Sequence, residues 1–295
     1  MLLQERDIVL LKALCKSGVL NNELVQEIYD GKGSYYKKRL TQMSREGYLV
    51  RDRGYVRITS KGMAAVGVGG APKKLRRVDM KRRVAILSAV KMLPDWKVML
   101  SSEIKKKKGL NRSSQIHAYI EKDGLGYGMY MIEARTIKPV ALGKLWQEIQ
   151  EMNLKGIERV IMLFRHAEAM SFVASRIKEP KIKELLLLPY PDGMELFRVQ
   201  YNGAAEKYLQ ENLPGITKVV NGKRFVDYWW QGNYVVNLIT NDAVKRYYLR
   251  EYFEGMLYQI EKRDVVILCT DSQRILFAKL YPLAKIVTVS LNGNA

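Results

Sequence analysis

Residues 115–136 read QIHAYIEKDGLGYGMYMIEART, two runs on either side of a turn at Lys122 to Gly126. Alternating residues flanking a glycine-bearing turn predict a β-hairpin. Downstream, PVALGKLWQEIQEMN has helical spacing, ERVIMLFRH is a short apolar strand, Ala167 to Ile177 a second helix, and ELLLLPY a further strand. Hairpin, helix, strand, helix, strand is the order of an α/β unit with at least one crossover connection.

The same order returns. RFVDYWWQGNYVVNLITND gives two strands around Gln231 to Asn233, and DAVKRYYLREYFEGMLYQI a helix. RDVVILCTD, SQRILFAKLY and AKIVTVSL then read as strand, helix and strand. IERVIMLFRH and KRDVVILCTD occupy corresponding places. The expected fold class is α/β, with one unit duplicated over residues 71–200 and 201–295; identities between the halves are few, so the expectation rests on order.

Ahead of the first unit, LQERDIVLLKALCKSG puts Ile8, Leu11 and Leu14 on one helical face, with Gly18 as the stop. LNNELVQEIYD is a second short helix, and GSYYKKRLTQMSREGYL a third, with Ser34 as its cap. YLVRDRGYVRITSKG alternates like a hairpin around Asp52 to Gly54. Three helices and a basic hairpin make residues 1–70 an α+β winged helix-turn-helix, whose third helix can enter a major groove while the wing reaches phosphates. Residues 35–61 carry eight Lys or Arg against two Asp or Glu. The candidate DNA contacts are Tyr35, Tyr36, Lys37, Lys38, Arg39 and Arg45 on the helix, and Arg51, Arg53 and Arg57 on the wing; either tyrosine can instead pack against the wing.

A glycine- and proline-bearing stretch near residue 70 marks a boundary, and seven basic residues follow between Lys73 and Arg83. Of these, Lys73, Lys74, Arg76 and Arg77 are further candidate contacts. Met80 to Met92 has the period of an amphipathic helix, with Val84, Leu87 and Val90 available for burial. Lys105, Lys106, Lys107 and Lys108 form either a mobile phosphate-binding loop or a solvated turn.

Fifty Lys and Arg against thirty Asp and Glu give a net charge of +20, larger than solubility requires. A polyanion is the implied partner, nucleic acid ahead of an acidic membrane surface. No run of eighteen apolar residues appears, and MLLQERD lacks the pattern of a signal segment, so a cytoplasmic protein is expected. Cys15 and Cys269 read as free thiols, and two histidines exclude a histidine-rich metal site. Neither a metal nor a cofactor is expected.

The winged-helix start, the linker, and then IEARTIKPVALGKLWQEI with IERVIMLFRHAEAMSFVASRI resemble the replication-relaxation proteins of bacterial plasmids and integrated mobile elements, over about residues 5 to 190. The resemblance rests on pattern and order. It implies a winged helix joined to a restriction-endonuclease-like α/β unit of the PD-(D/E)xK type. Such a unit would carry a Pro-Asp pair on the first hairpin strand and Glu-x-Asp, then Arg and Thr, at the end of the second. Here Ser114 and Gln115 stand near the pair, Glu133 matches the glutamate, Ala134 intervenes, Arg135 replaces the aspartate and Thr136 follows.

These departures remove carboxylates, and divalent-metal hydrolysis needs hard oxygen ligands. Glu133 is thus a weak catalytic candidate, expected to pair with Arg135 or Lys138. In the second half Asp227 remains, while Asn237 and Asn241 replace acids. A tyrosine nucleophile lacks the histidines that usually gather its metal. YWWQGNY can stack on unpaired bases, or can be half core and half interface. The function implied is sequence-specific binding of double-stranded DNA in replication initiation or DNA processing, without catalysis. A homodimer on a palindromic site is expected, with replication or relaxosome proteins as further partners. The alternatives are a transcriptional regulator and a Mg-dependent endonuclease or nickase.

Overall fold

Three hairpins set the registers of the three sheets. Each is closed by two residues at positive φ: Arg53 and Gly54 (46° and 88°), Asp123 and Gly124 (49° and 78°), Gln231 and Gly232 (49° and 81°). Two left-handed residues in a two-residue loop match the twist of the strands they join, and glycine at the second position takes that conformation without a Cβ clash. The computed structural model describes residues 2–31, 33–220 and 222–289. Ser290 and Leu291, the last residues of the expected final strand, lie outside them.

The amino-terminal domain runs α1 (Glu5–Ser17), β1 (Leu20–Asn21), α2 (Asn22–Ile28), α3 (Tyr35–Arg45), β2 (Leu49–Asp52), β3 (Tyr55–Ile58) and α4 (Ser60–Ala65). Its antiparallel sheet has the order β1-β3-β2, with β2 and β3 as the wing. Gly18 stops α1 in the left-handed conformation, its N–H donating to the Leu14 carbonyl. Leu10, Leu11, Leu14, Leu40, Met43 and Val56 form the core; Ile8 is only half-buried. Asp7 lies in that core instead, fully buried, accepting from the Tyr29 hydroxyl at 2.5 Å and from the Arg39 guanidinium.

The first α/β unit follows as α5 (Arg77–Lys91), β4 (Lys97–Leu100), α6 (Ser101–Lys107), β5 (Ala118–Lys122), β6 (Leu125–Ile132), α7 (Pro139–Met152), β7 (Arg159–Phe164), α8 (Ala167–Ala174) and β8 (Glu184–Pro189). The sheet has the order β4-β5-β6-β7-β8; its first three strands are antiparallel and β6, β7 and β8 are parallel. Tyr127, Met129 and Met131 of β6 face α5, while Tyr130 and Ile132 face α7 and α8. Burial on both faces explains why this strand is apolar nearly throughout.

The second unit runs α9 (Gly193–Tyr201), α10 (Ala204–Asn212), β9 (Thr217–Lys218), β10 (Tyr228–Trp230), β11 (Asn233–Asn237), α11 (Ala243–Glu254), α12 (Met256–Glu261), β12 (Val265–Cys269), α13 (Arg274–Leu280) and β13 (Lys285–Thr288). Its strands follow the order β9-β10-β11-β12-β13, antiparallel through β11 and parallel after it. Strand for strand this is the first sheet again, so the α/β unit is duplicated in topology. β4, β9, α9 and α10 went unread in the sequence, and Lys105 to Lys107 belong to the end of α6 rather than to a loop.

Two helices join the parts. α5 buries Ala85, Ile86 and Ala89 against the first sheet, and packs Met80, Val84 and Leu87 against the winged helix. Between the units, the Leu187 backbone makes two hydrogen bonds to Asn241: its N–H donates to the Asn241 carbonyl at 3.3 Å, and its carbonyl accepts from the side-chain Asn241 Nδ2 at 3.0 Å. Asp242 accepts from the Leu185 N–H at 3.2 Å and from the Val244 N–H at 2.9 Å, capping α11. Residues 241–242 therefore cover the edge of β8. Burial pushes the Asp242 carboxyl up to about 7. Cys15 and Cys269 are free thiols, and no helix among the described residues is long and apolar enough to cross a membrane.

Candidate nucleic-acid interface

The outer face of α3 is set by helical period. Lys37, Lys38, Thr41, Gln42 and Arg45 lie at spacings of one and four, so their side chains emerge together, and all five are exposed. Among the described residues, Lys37, Lys38 and Arg45 have no carboxylate partner. Arg51 of β2 donates from Nη1 to Thr41 Oγ1 at 3.1 Å, which lays the wing beside the helix. Arg53 is exposed at the tip of the wing, and Arg57 is half-buried at its base.

Two expected contacts are corrected. Tyr36 and Arg39 fall on the inner face with Leu40 and Met43, and Tyr36 is only 6% exposed. Arg39 bonds Asp7, Gln42 Oε1 at 3.0 Å and the Leu2 carbonyl at 3.2 Å. Burial alone would push the Asp7 carboxyl up; the hydrogen bonds from Arg39, Tyr29 and the Gln4 N–H outweigh it and hold the group below the usual carboxylate value. Arg39 is spent on the core. Tyr35 is half exposed, but its hydroxyl donates to Gln4 Oε1 at 2.7 Å and its ring meets Tyr29 edge-on.

A second basic surface lies where the winged helix meets the first α/β unit. Arg83 donates from Nη1 to the Ser17 carbonyl at 2.7 Å, satisfying the end of α1. Beside it opens a cavity of about 440 Å³ lined by Lys16, Arg76, Arg82, Arg83, Lys105 and Arg112. Asp79 is the one carboxylate among its lining residues, shared between Arg76 at 2.9 Å and Arg82 at 3.9 Å. A neighbouring hollow carries Arg57, Lys73 and Lys74 and shares Lys16 and Arg83 with the first. Arg77, Lys106 and Lys107 are exposed, while Lys108 donates to the Gly156 carbonyl at 3.3 Å. The run at 105–108 is thus divided: one cation inward, two outward and one capping a turn.

The cavity wall includes Ser114, Gln115 and His117; Glu133 is not among its lining residues. His117, immediately before β5, donates its backbone N–H to the Met129 carbonyl at 2.9 Å and accepts from the Met131 N–H at Nδ1, 3.3 Å away. Burial pushes this imidazole down to about 4, with Arg82, Lys105 and Arg83 adding to the shift. Ser114 Oγ and the Gln115 N–H both donate to Glu148 of α7, each at 2.8 Å. Glu133 is held by Arg165, at 3.2 and 3.3 Å, and by neither of its expected partners; Arg135 pairs with Glu168 instead. Arg165 was missed because it comes from a different strand's exit, the residue immediately after β7.

In the second unit Asp227 pairs with Lys245 at 2.7 Å and accepts from the Asn237 N–H at 2.7 Å. No group of three or more metal-ligating side chains occurs among the described residues. Tyr228 and Tyr234 are buried, Trp230 donates to the Pro214 carbonyl at 3.2 Å, and Arg263 lies over Trp229, so the YWWQGNY segment is largely engaged in packing. Comparison with known proteins finds no matching family model, no matching curated protein and no matching solved structure.

Proposed function

We propose that this chain is a sequence-specific binder of double-stranded DNA that does not itself cut. The observation that carries the reading is the outer face of α3: three exposed cations without a carboxylate partner among the described residues, Thr41 and Gln42 between them, and Arg51 alongside. Gln42 and Arg45 have the chemistry to read adenine and guanine edges, while Lys37, Lys38, Arg51 and Arg53 supply phosphate contacts. The dispersal of the carboxylates supports a role without hydrolysis: Glu133, Glu148 and Asp227 each serve a structural partner. Pairing of two copies on a palindromic site accords with how such modules dock. Replication initiation or DNA processing on a plasmid or mobile element, in the cytoplasm, is the setting that the resemblance of residues 5 to 190 suggests.

The test is fluorescence anisotropy on duplexes from the DNA flanking the chain's own coding region, over a salt series with and without Mg²⁺ and Mn²⁺. One duplex should bind far more tightly than scrambled DNA, with log affinity falling linearly with log salt and no strand breaks in either metal. Equal binding to all sequences would refute specific recognition, and metal-dependent nicks would refute the absence of catalysis.

A further inference from the structure

We infer that the cavity between the winged helix and the first α/β unit is a binding site for the phosphate of a nucleotide. Its chemistry is that of an anion site without its anion's partners. Six cationic side chains line it against one lining carboxylate, Asp79, which Arg76 and Arg82 share; of the others, Lys16 pairs with Glu103 outside the lining at 3.5 Å. Arg82 Nε is buried with no hydrogen-bond partner. Lys105, half-buried, donates to the Arg112 carbonyl at 3.1 Å and has no carboxylate partner among the described residues. Burial pushes its ammonium down, Glu148 opposes this and Lys73 and Arg83 add to it. A buried donor left without an acceptor is costly, and a phosphate oxygen would satisfy several at once.

The volume argues for more than a bare ion. At about 440 Å³ the cavity exceeds what one phosphate fills, and Ile86, Leu87, Ile132 and Leu145 add apolar surface to its lining. A phosphate against arginines with a sugar or base against aliphatic side chains is the match. The phosphate has two sources, a free nucleotide or the backbone of DNA held by the winged helix. Because Lys16 and Ser17 belong to α1, while Arg82 and Lys105 belong to α5 and α6, an occupant would bridge the two domains.

His117 reports occupancy, since it lines the cavity and His166 is the only other histidine. The groups facing it are Arg82, Arg83 and Asp79 from α5 and Lys105 from α6. The experiment is calorimetric titration of the full chain with inorganic pyrophosphate, a nucleoside 5′-monophosphate and a DNA duplex, with the imidazole resonances followed by NMR and assigned with His166→Gln. A bound phosphate should move the His117 titration midpoint upward by about one unit. Lys105→Gln should weaken binding about tenfold, and the exposed Arg112→Ala should weaken it without altering the fold.

If pyrophosphate and the monophosphate do this, the source is a free nucleotide; if only the duplex does, it is the DNA backbone. If no probe perturbs His117, or binding is indifferent to both substitutions, the inference is overturned. Paired Lys37→Ala and Lys38→Ala separate the two sites: loss of duplex binding with pyrophosphate binding intact concerns the winged helix alone.

Discussion

Replacing Arg39 by methionine tests whether the cation run at 37–39 is divided between core and surface. Asp7 is fully buried and the Arg39 side chain only 10% exposed, so solvent screens the pair little. Breaking such a pair by removing one partner costs about 3–5 kcal/mol. The Tyr29 hydroxyl and the Gln4 N–H still serve the carboxylate, which places the cost near the lower end. About 3 kcal/mol is roughly a hundredfold in the local unfolding equilibrium, and hydrogen–deuterium exchange of peptides from α1 and α3 should accelerate by that factor. Asp7→Asn combined with Arg39→Met, which strands no charge, should recover most of the loss.

The pH dependence should change sign as well. In the native chain the Asp7 pKa is lowered, so its contribution is full above the unfolded value of about 3.9 and is lost as pH falls through the lower folded value. Without Arg39, burial dominates and raises the folded pKa. The variant's deficit should therefore shrink as pH falls from neutral. Unchanged exchange in Arg39→Met, together with a loss of DNA affinity like that of a surface lysine, would refute the inward placement of Arg39.

Lys38→Ala should leave thermal stability unchanged and flatten the slope of log affinity against log salt by about 0.9, one phosphate contact, in anisotropy titrations. Glu133→Gln loses the charge of a largely covered carboxylate but keeps an amide oxygen for Arg165, itself 41% exposed, and should cost about 1 kcal/mol in chemical denaturation, with DNA binding intact. Asp242 has a folded pKa near 7 against an unfolded value of about 3.9, so the native state binds the extra proton between them and stability falls as pH rises through that window. Asp242→Asn keeps an oxygen for the Leu185 and Val244 N–H groups and should flatten that dependence in melts run from pH 5 to 8. Gly62→Ala would set a Cβ 2.1 Å from the Tyr48 carbonyl oxygen, and should detach α4 from the wing, seen as faster exchange of both.

The parts legible in the sequence were those with local causes. Asp123-Gly124 and Gln231-Gly232 announce their turns, and strands buried on both faces announce themselves as apolar runs such as residues 184–189. Strands β4 and β9 gave no such signal: KVML and TK are short edge strands, and β9 is exposed. Arg39 was misread because a run of like residues was taken as one surface, while the helix turns its third member inward beside Tyr36. Thr41 and Gln42 were recoverable from the same period, four residues after Lys37 and Lys38. The cavity had only a partial linear signature: Arg76, Arg82 and Arg83 lie in the basic run after residue 72 and Lys105 in the lysine run, but their convergence with Arg112, and with Lys16 of the separate helix α1, is made by the tertiary fold.

The joint at β8 gives the duplicated pair a polarity. The edge strand of the first unit receives the segment that follows the hairpin of the second, and the two contributions are not equivalent positions: β8 corresponds to β13, whereas residues 241–242 correspond to 133–134. A two-fold arrangement would set like against like, so this is a head-to-tail contact, the kind that propagates in series instead of closing on itself. The two halves consequently cannot mimic a symmetric dimer, and symmetry matched to a palindrome would have to come from a second chain. Cutting the chain after residue 200 would leave Leu185 to Leu188 as a bare apolar edge, a template for any strand it meets.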